Sequence, residues 1–193
     1  MRIFVALVLP EPFKAELIAI TALLRTSQYP LRWTPAKNLH LTLAFLGELD
    51  ETGTTLAIES TRRATRRHIP FSLSFLKLVA YPRRGATRIL AAAFSKGDRE
   101  AASRASELEN ELDTIGRGAG FRFREREAKP YAAHVTLARS ARVPVKLGPE
   151  ALGTDSSVES STRIETLAVF ESRLQRNGAE YVKLAEFPLA EDP

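Results

Sequence analysis

The chain has 193 residues, 44% of them hydrophobic and 26% charged. That balance fits one soluble globular unit with a real core and excludes the disordered and low-complexity classes. Cysteine is absent, which excludes disulfides, thiolate chemistry and cysteine-bound zinc. The net charge is +5, and arginines cluster at Arg62, Arg63, Arg66, Arg67, Arg83, Arg84, Arg88, Arg122, Arg124 and Arg126. Guanidinium forks bind phosphate bidentately, so the excess suits an anionic partner such as RNA, although an arginine-rich proteome would give the same balance. No apolar run reaches the roughly 18–20 residues that span a bilayer. The opening "MRIFVALVLPEPFK" is too short in its apolar part for a signal peptide, so a cytoplasmic location without membrane attachment is expected.

In chain order, "RIFVALVL" (2–9) reads as a buried strand punctuated by Pro10 and Pro12. Phe13, Leu17, Ile20 and Leu24 fall at helical spacing and predict an amphipathic helix over 12–27. A turn-rich "SQYPLRWTP" leads into a strand over 38–46 that ends at Gly47. Asp50 is placed to cap a helix over 51–67, which stops before Pro70. Residues 71–82 alternate as a strand, and "RILAAAFS" (88–95) is a strand by context despite its alanines. Ala101, Ala105, Leu108, Leu112 and Ile115 mark a third helix over 98–115, closed by "GRGAG". "FRFRERE" (121–127) fits either a short strand or an exposed basic turn. Strands come next at 132–139, at 161–174 and at 181–189, the last two joined at Asn177-Gly178, a strong hairpin signal. Strand–helix–strand thus occurs twice, which points to a pseudo-duplicated α+β fold in one domain over 1–193.

Each copy ends on the same small pattern. "HLTL" at 40–43 and "HVTL" at 134–137 place His and Thr two residues apart, with apolar residues between. On a strand, residues i and i+2 share a face. His40 therefore projects with Thr42, and His134 with Thr136, while Leu41, Leu43, Val135 and Leu137 turn away. Two imidazoles and two hydroxyls meeting at a pseudo-two-fold axis would suit a phosphoryl group. One imidazole can take a proton from water and the other can give one to the leaving oxygen, while hydroxyls and an arginine hold the phosphate oxygens. Either segment alone reads better as a buried histidine capped by a hydroxyl. From composition, two of three histidines with Thr at +2 is an event on the order of one in fifty, so the pair shifts the balance. Metal binding is a poor rival, because no carboxylate lies within a few residues of either histidine. Neither a nucleophile elbow nor a glycine-rich nucleotide loop is present. His68, in "TRRHIP", lacks this context and reads as a surface or helix-end residue.

Two His-x-Thr-x motifs in a chain of this size resemble the two-histidine phosphoesterases. The sequence is most similar to the bacterial and archaeal RNA 2′,3′-cyclic phosphodiesterases, also called 2′-5′ RNA ligases. The resemblance runs almost end to end, through "MRIFVALVLP", "RWTPAKNLHLTLAFLGEL", "AYPRRGATRIL", "HVTLAR" and "FESRLQRNGAEYVKLAEFPL". It implies a bilobal fold of two antiparallel sheets flanking a central cleft, with helices packed outside. It implies an enzyme that opens a terminal 2′,3′-cyclic phosphate on RNA to a 2′-phosphate, without metal or cofactor, and that can run in reverse as a 2′-5′ ligation. His40 and His134 would be the catalytic pair, with His40 favoured as the acid. Thr42, Thr136 and Arg139 would bind the phosphate. Strict alternation turns Arg139 away from His134, so it reaches a phosphate only if the strand ends or bulges near Ala138. Phe45 occupies the equivalent place in the first motif and reads as core, because it shares the Leu41/Leu43 face. Arg32, Arg83, Arg84 and Arg88 are candidates for contact with an RNA strand, or solvated loop charges. A monomer is expected. Two other functions stay open: a phosphodiesterase on another cyclic or 2′-5′ linked nucleotide, and a non-catalytic module that holds an RNA end.

Overall fold

The computed structural model describes residues 1–27, 29–82, 85–123, 131–141, 144–147, 152, 160–175 and 178–190. Strand β1 (Arg2–Val8) leads to helices α1 (Glu11–Ile20) and α2 (Ala22–Arg25), which divide the single helix expected over 12–27. Short β2 (Leu31–Trp33) and a 3-10 turn (Ala36–Asn38) precede β3 (His40–Glu48). Helix α3 (Glu51–Thr65) starts where expected, with the Asp50 carboxylate accepting from the Gly53 N–H at 2.7 Å. Next in the chain are β4 (Phe71–Tyr81), β5 (Ile89–Lys96), α4 (Asp98–Gly118) and β6 (His134–Ser140). Helix α4 buries Ala101, Ala105, Leu108 and Leu112, the stripe read from the sequence. The basic stretch 121–127 lies for the most part outside the described residues.

The strand expected over 161–174 is two strands. β7 (Ser161–Ile164) pairs with β4, and β8 (Thr166–Gln175) pairs with β1, with only Glu165 between them. β9 (Gly178–Pro188) closes an antiparallel hairpin on β8, paired down to Gln175 and Gly178; Asn177 lies outside the described residues.

Among the described residues the strands form one nine-stranded sheet in the order β7-β4-β5-β6-β3-β1-β8-β9, with β2 added beside β6. The two sheets expected are therefore two halves of one path. They meet at a seam between β3 and β6, where Leu41 pairs with Val135. Because a single residue carries the chain from β7 in one half to β8 in the other, the sheet must curl until its β7 edge approaches β8. Leu41, Leu43, Val135 and Leu137 are all buried in the core on the helix side, with Phe13 and Leu17 of α1 and Leu108 of α4. The opposite face of the seam is thereby left to the polar members of the motifs. Among the described residues no helix is long and apolar enough to cross a membrane.

Candidate active site

The seam brings both motifs together. Antiparallel register through Leu41 and Val135 sets His40 across from Thr136, and Thr42 across from His134. The two histidines stand on a diagonal, as the sequence pattern requires of a pseudo-two-fold. Each ring is oriented by the same device. The Nδ1–H of His40 donates to the Asn38 carbonyl at 2.8 Å, and that of His134 to the Ala132 carbonyl at 2.8 Å. A carbonyl only accepts, so Nδ1 carries the proton and the Nε2 lone pair is free for proton transfer. At His40 that lone pair meets the Thr42 hydroxyl, 2.9 Å away.

A β-bulge sets which way the residues after each motif face. On β6, Thr136 pairs with Ala91 and Ala138 with Leu90, leaving Leu137 unmatched. Leu137 and Ala138 are both buried in the core, so Arg139 is carried back to the side of His134 and Thr136. This is the offset that strict alternation lacked. β3 repeats it: Thr42 pairs with Ala6 and Ala44 with Val5, leaving Leu43 unmatched. Leu43 and Ala44 turn into the core, and Phe45 is carried to the histidine side. The core assignment of Phe45 is therefore corrected. Its side chain is 70% exposed, because one extra residue reverses the alternation on which that reading stood.

The surroundings of the two rings differ. His40 lies 4.8 Å from the Phe4 ring and 5.1 Å edge-on to Tyr181, with Phe170 at 6.3 Å. Phe4 also meets Phe45 at 5.9 Å, so an aromatic wall runs from the buried imidazole to the surface. His134 has Tyr81 beside it at 5.5 Å. Burial pushes the His40 pKa down to about 4; the Asn38 carbonyl opposes this, and the charges of His134, Arg139 and Lys14 add to it. The ring is thus neutral at pH 7.

Sequence reasoning missed the residues that hold this arrangement. Asn38 is 6% exposed, and its side-chain amide donates to the Ala179 carbonyl of β9 at 2.7 Å, tying the turn before His40 to the β8–β9 hairpin. The Tyr131 hydroxyl donates to the Thr42 carbonyl at 2.8 Å, which links the two motif strands. The aromatic wall joins β1, β3, β8 and β9, so no local spacing announces it. Asn38, a polar residue two places before His40, was the one available signal, and Ala132 offers none before His134.

His68 lies outside the cleft, just past α3. It is at a helix end as expected but not at the surface: it is 5% exposed, with Nε2 3.1 Å from Glu107 Oε2. Arg83, Arg84 and Arg124–Arg126 fall outside the described residues. Arg88 is exposed but alternates with Ile89, the partner of Arg139, and so turns from the cleft. Among the described residues no three His, Asp or Glu side chains gather as a metal set would.

The curled antiparallel sheet thus carries both His-x-Thr strands at its seam. The family model for LigT-like phosphoesterases matches residues 7–90. An RNA 2′,3′-cyclic phosphodiesterase of Thermus thermophilus is 30% identical over 193 residues, covering 98% of this chain and 90% of that protein. The chain belongs to the LigT-like phosphoesterase family. A Geobacillus stearothermophilus protein of the same description is 27% identical over 169 residues, and the match spans 87% of this chain but only 51% of that protein. The crystal structure of Thermus thermophilus TT0787 superposes over the full length of both chains with a TM-score of 0.84 at 25% identity. Escherichia coli LigT in complex with 3′-AMP shares the fold, with a TM-score of 0.77 over 98% of each chain at 23% identity.

Proposed function

We propose that this protein hydrolyses the terminal 2′,3′-cyclic phosphate of RNA to a 2′-phosphate, using His40 and His134 as the acid–base pair and no metal. The carrying observation is the seam itself: two Nε2 atoms freed by their carbonyl partners, two threonines opposite them, and an arginine returned to the same face by a bulge. The relatives named RNA 2′,3′-cyclic phosphodiesterase support the substrate.

Water attacks phosphorus in line with O3′. One imidazole takes a proton from the water; the other gives a proton to O3′ as the P–O3′ bond breaks, leaving the phosphate on O2′. Thr42, Thr136 and Arg139 hold the non-bridging oxygens, and Arg139 offsets the charge that gathers on them. The family resemblance favours His40 as the acid. Kept neutral by burial, His40 would gain its proton as the phosphate anion arrives, since a neighbouring negative charge favours the imidazolium. With the 5′-hydroxyl of a second strand in place of water, the same forward steps break P–O3′ and leave a 2′-5′ phosphodiester, which is the ligation. The exposed ring of Phe45 offers a face on which the terminal base can stack. Both motifs come from one chain, so a monomer carries the whole site.

The test is a short RNA with a 2′,3′-cyclic phosphate end, incubated in EDTA with the wild type, His40→Ala and His134→Ala. The expected product is the 2′-phosphate, with each variant reduced by about 10²–10⁴-fold. Binding without turnover by the wild type would replace this reading with an end-binding module. Turnover that survives both substitutions would place the chemistry elsewhere.

A further inference from the structure

We propose that Arg32, the cross-strand neighbour of Arg139, completes a second phosphate subsite that holds the phosphodiester one linkage upstream of the reacting one. This rests on the cyclic-phosphate reading above and adds to it the means of telling an RNA chain end from a lone cyclic nucleotide.

β2 lies beside β6 only past the bulge, where β3 has diverged. Leu31 pairs with Ser140, Arg32 with Arg139 and Trp33 with Ala138. Two further backbone bonds pin the segment, from Thr34 N–H to the Leu137 carbonyl at 2.8 Å and from Ala141 N–H to the Pro30 carbonyl at 2.9 Å. Residues directly opposite in an antiparallel pair share a face, so Arg32 stands on the side of Arg139, at the mouth of the cleft. Its chain neighbours agree with the alternation. Leu31 and Trp33 pack against the core, and the Arg25 guanidinium sits 4.3 Å over the Trp33 ring.

Two like charges directly opposite on a sheet destabilise it. Six other arginines, Arg62, Arg63, Arg67, Arg117, Arg163 and Arg173, each meet a carboxylate within 3.2 Å. Among the described residues neither Arg32 nor Arg139 has an ion pair, and both are exposed. Two successive phosphates bound there remove the repulsion, each receiving one fork. With Arg139 engaged at the reacting phosphate, Arg32 stands one strand outward, about 5 Å, and its long side chain extends the reach to the next phosphodiester. A mononucleotide ends before that point.

The experiment measures kcat/KM for adenosine 2′,3′-cyclic phosphate and for a trinucleotide with the same cyclic end, at several salt concentrations. Wild type, Arg32→Ala and Arg32→Lys are compared. The wild type is expected to favour the trinucleotide. Arg32→Ala should lose about tenfold on the trinucleotide and less than about twofold on the mononucleotide. Its log–log salt slope on the trinucleotide should flatten by about 0.7, the value of one phosphate contact on a single strand, whereas Arg32→Lys should keep the slope. Equal losses on both substrates, or no loss on either, overturn the subsite. So does a wild type that turns over both substrates without preference, which leaves the cyclic-phosphate reading intact. A wild type that turns over neither overturns that reading and the subsite with it.

Discussion

On the β3 side of the seam, His40 sits against Phe4, Phe170 and Tyr181, and the residue returned by the bulge is Phe45. On the β6 side, His134 has Tyr81 for a neighbour, and the returned residue is Arg139, with Arg32 beside it. The two halves share a frame: a carbonyl two residues before the histidine, a threonine two after, then a bulge. They differ in what fills it. One half is a desolvated aromatic wall and the other a charged, open mouth. The lesson is that a duplicated backbone sets where the two imidazoles stand, while the unduplicated side chains make them chemically unequal. In the proposed reaction a terminal base would lie against the first half and phosphates against the second.

The sharpest way to break this division is at the returned residues. Arg139→Ala should lower kcat/KM on a cyclic-phosphate RNA by about 10²-fold or more, mainly through kcat, because in the proposed reaction its charge would face the oxygens that become more negative in the transition state. Steady-state kinetics at low and at moderate salt would check this.

The inequality of the histidines predicts a stability difference. The His40 pKa is about 4 in the folded protein against about 6.5 for an unperturbed histidine. The folded state therefore binds fewer protons, and its stability rises with pH. The contribution is fully present above about pH 6.5 and is lost as pH falls toward 4. It is on the order of 2 kcal/mol once the remaining solvent access of the ring is allowed for. Urea unfolding at about pH 7.5 and about pH 4.5 should show that loss in the wild type and a smaller one in His40→Gln.

At Phe45 the expected effect is smaller. Phe45→Ala should raise KM for RNA by about tenfold, the worth of one stacked base, while the exposed position leaves the urea midpoint nearly unchanged. Smaller still is Tyr131→Phe, which removes the hydroxyl bond to the Thr42 carbonyl. A loss of about 1 kcal/mol in stability is expected, with a modest drop in kcat as the two motif strands loosen.

The repeat of His-x-Thr, the alternation around it and the caps and stripes of the helices are local, and the sequence carried them. From these alone came the α+β class, the strands that bear His40, Thr42, His134 and Thr136, and the face on which they project. The tertiary structure decided four things. It joined the two expected sheets into one at the Leu41–Val135 pair, and it split the segment 161–175 between the two halves. It placed unmatched residues at Leu43 and Leu137, which turned Phe45 and Arg139 toward the cleft. It also assembled the wall around His40 from strands far apart in the chain. The physical reason is common to all four. Alternation and periodicity report which side of its own strand a residue takes, but the neighbour across the ladder, the residue it skips and the solvent it excludes are properties of the pairing between strands.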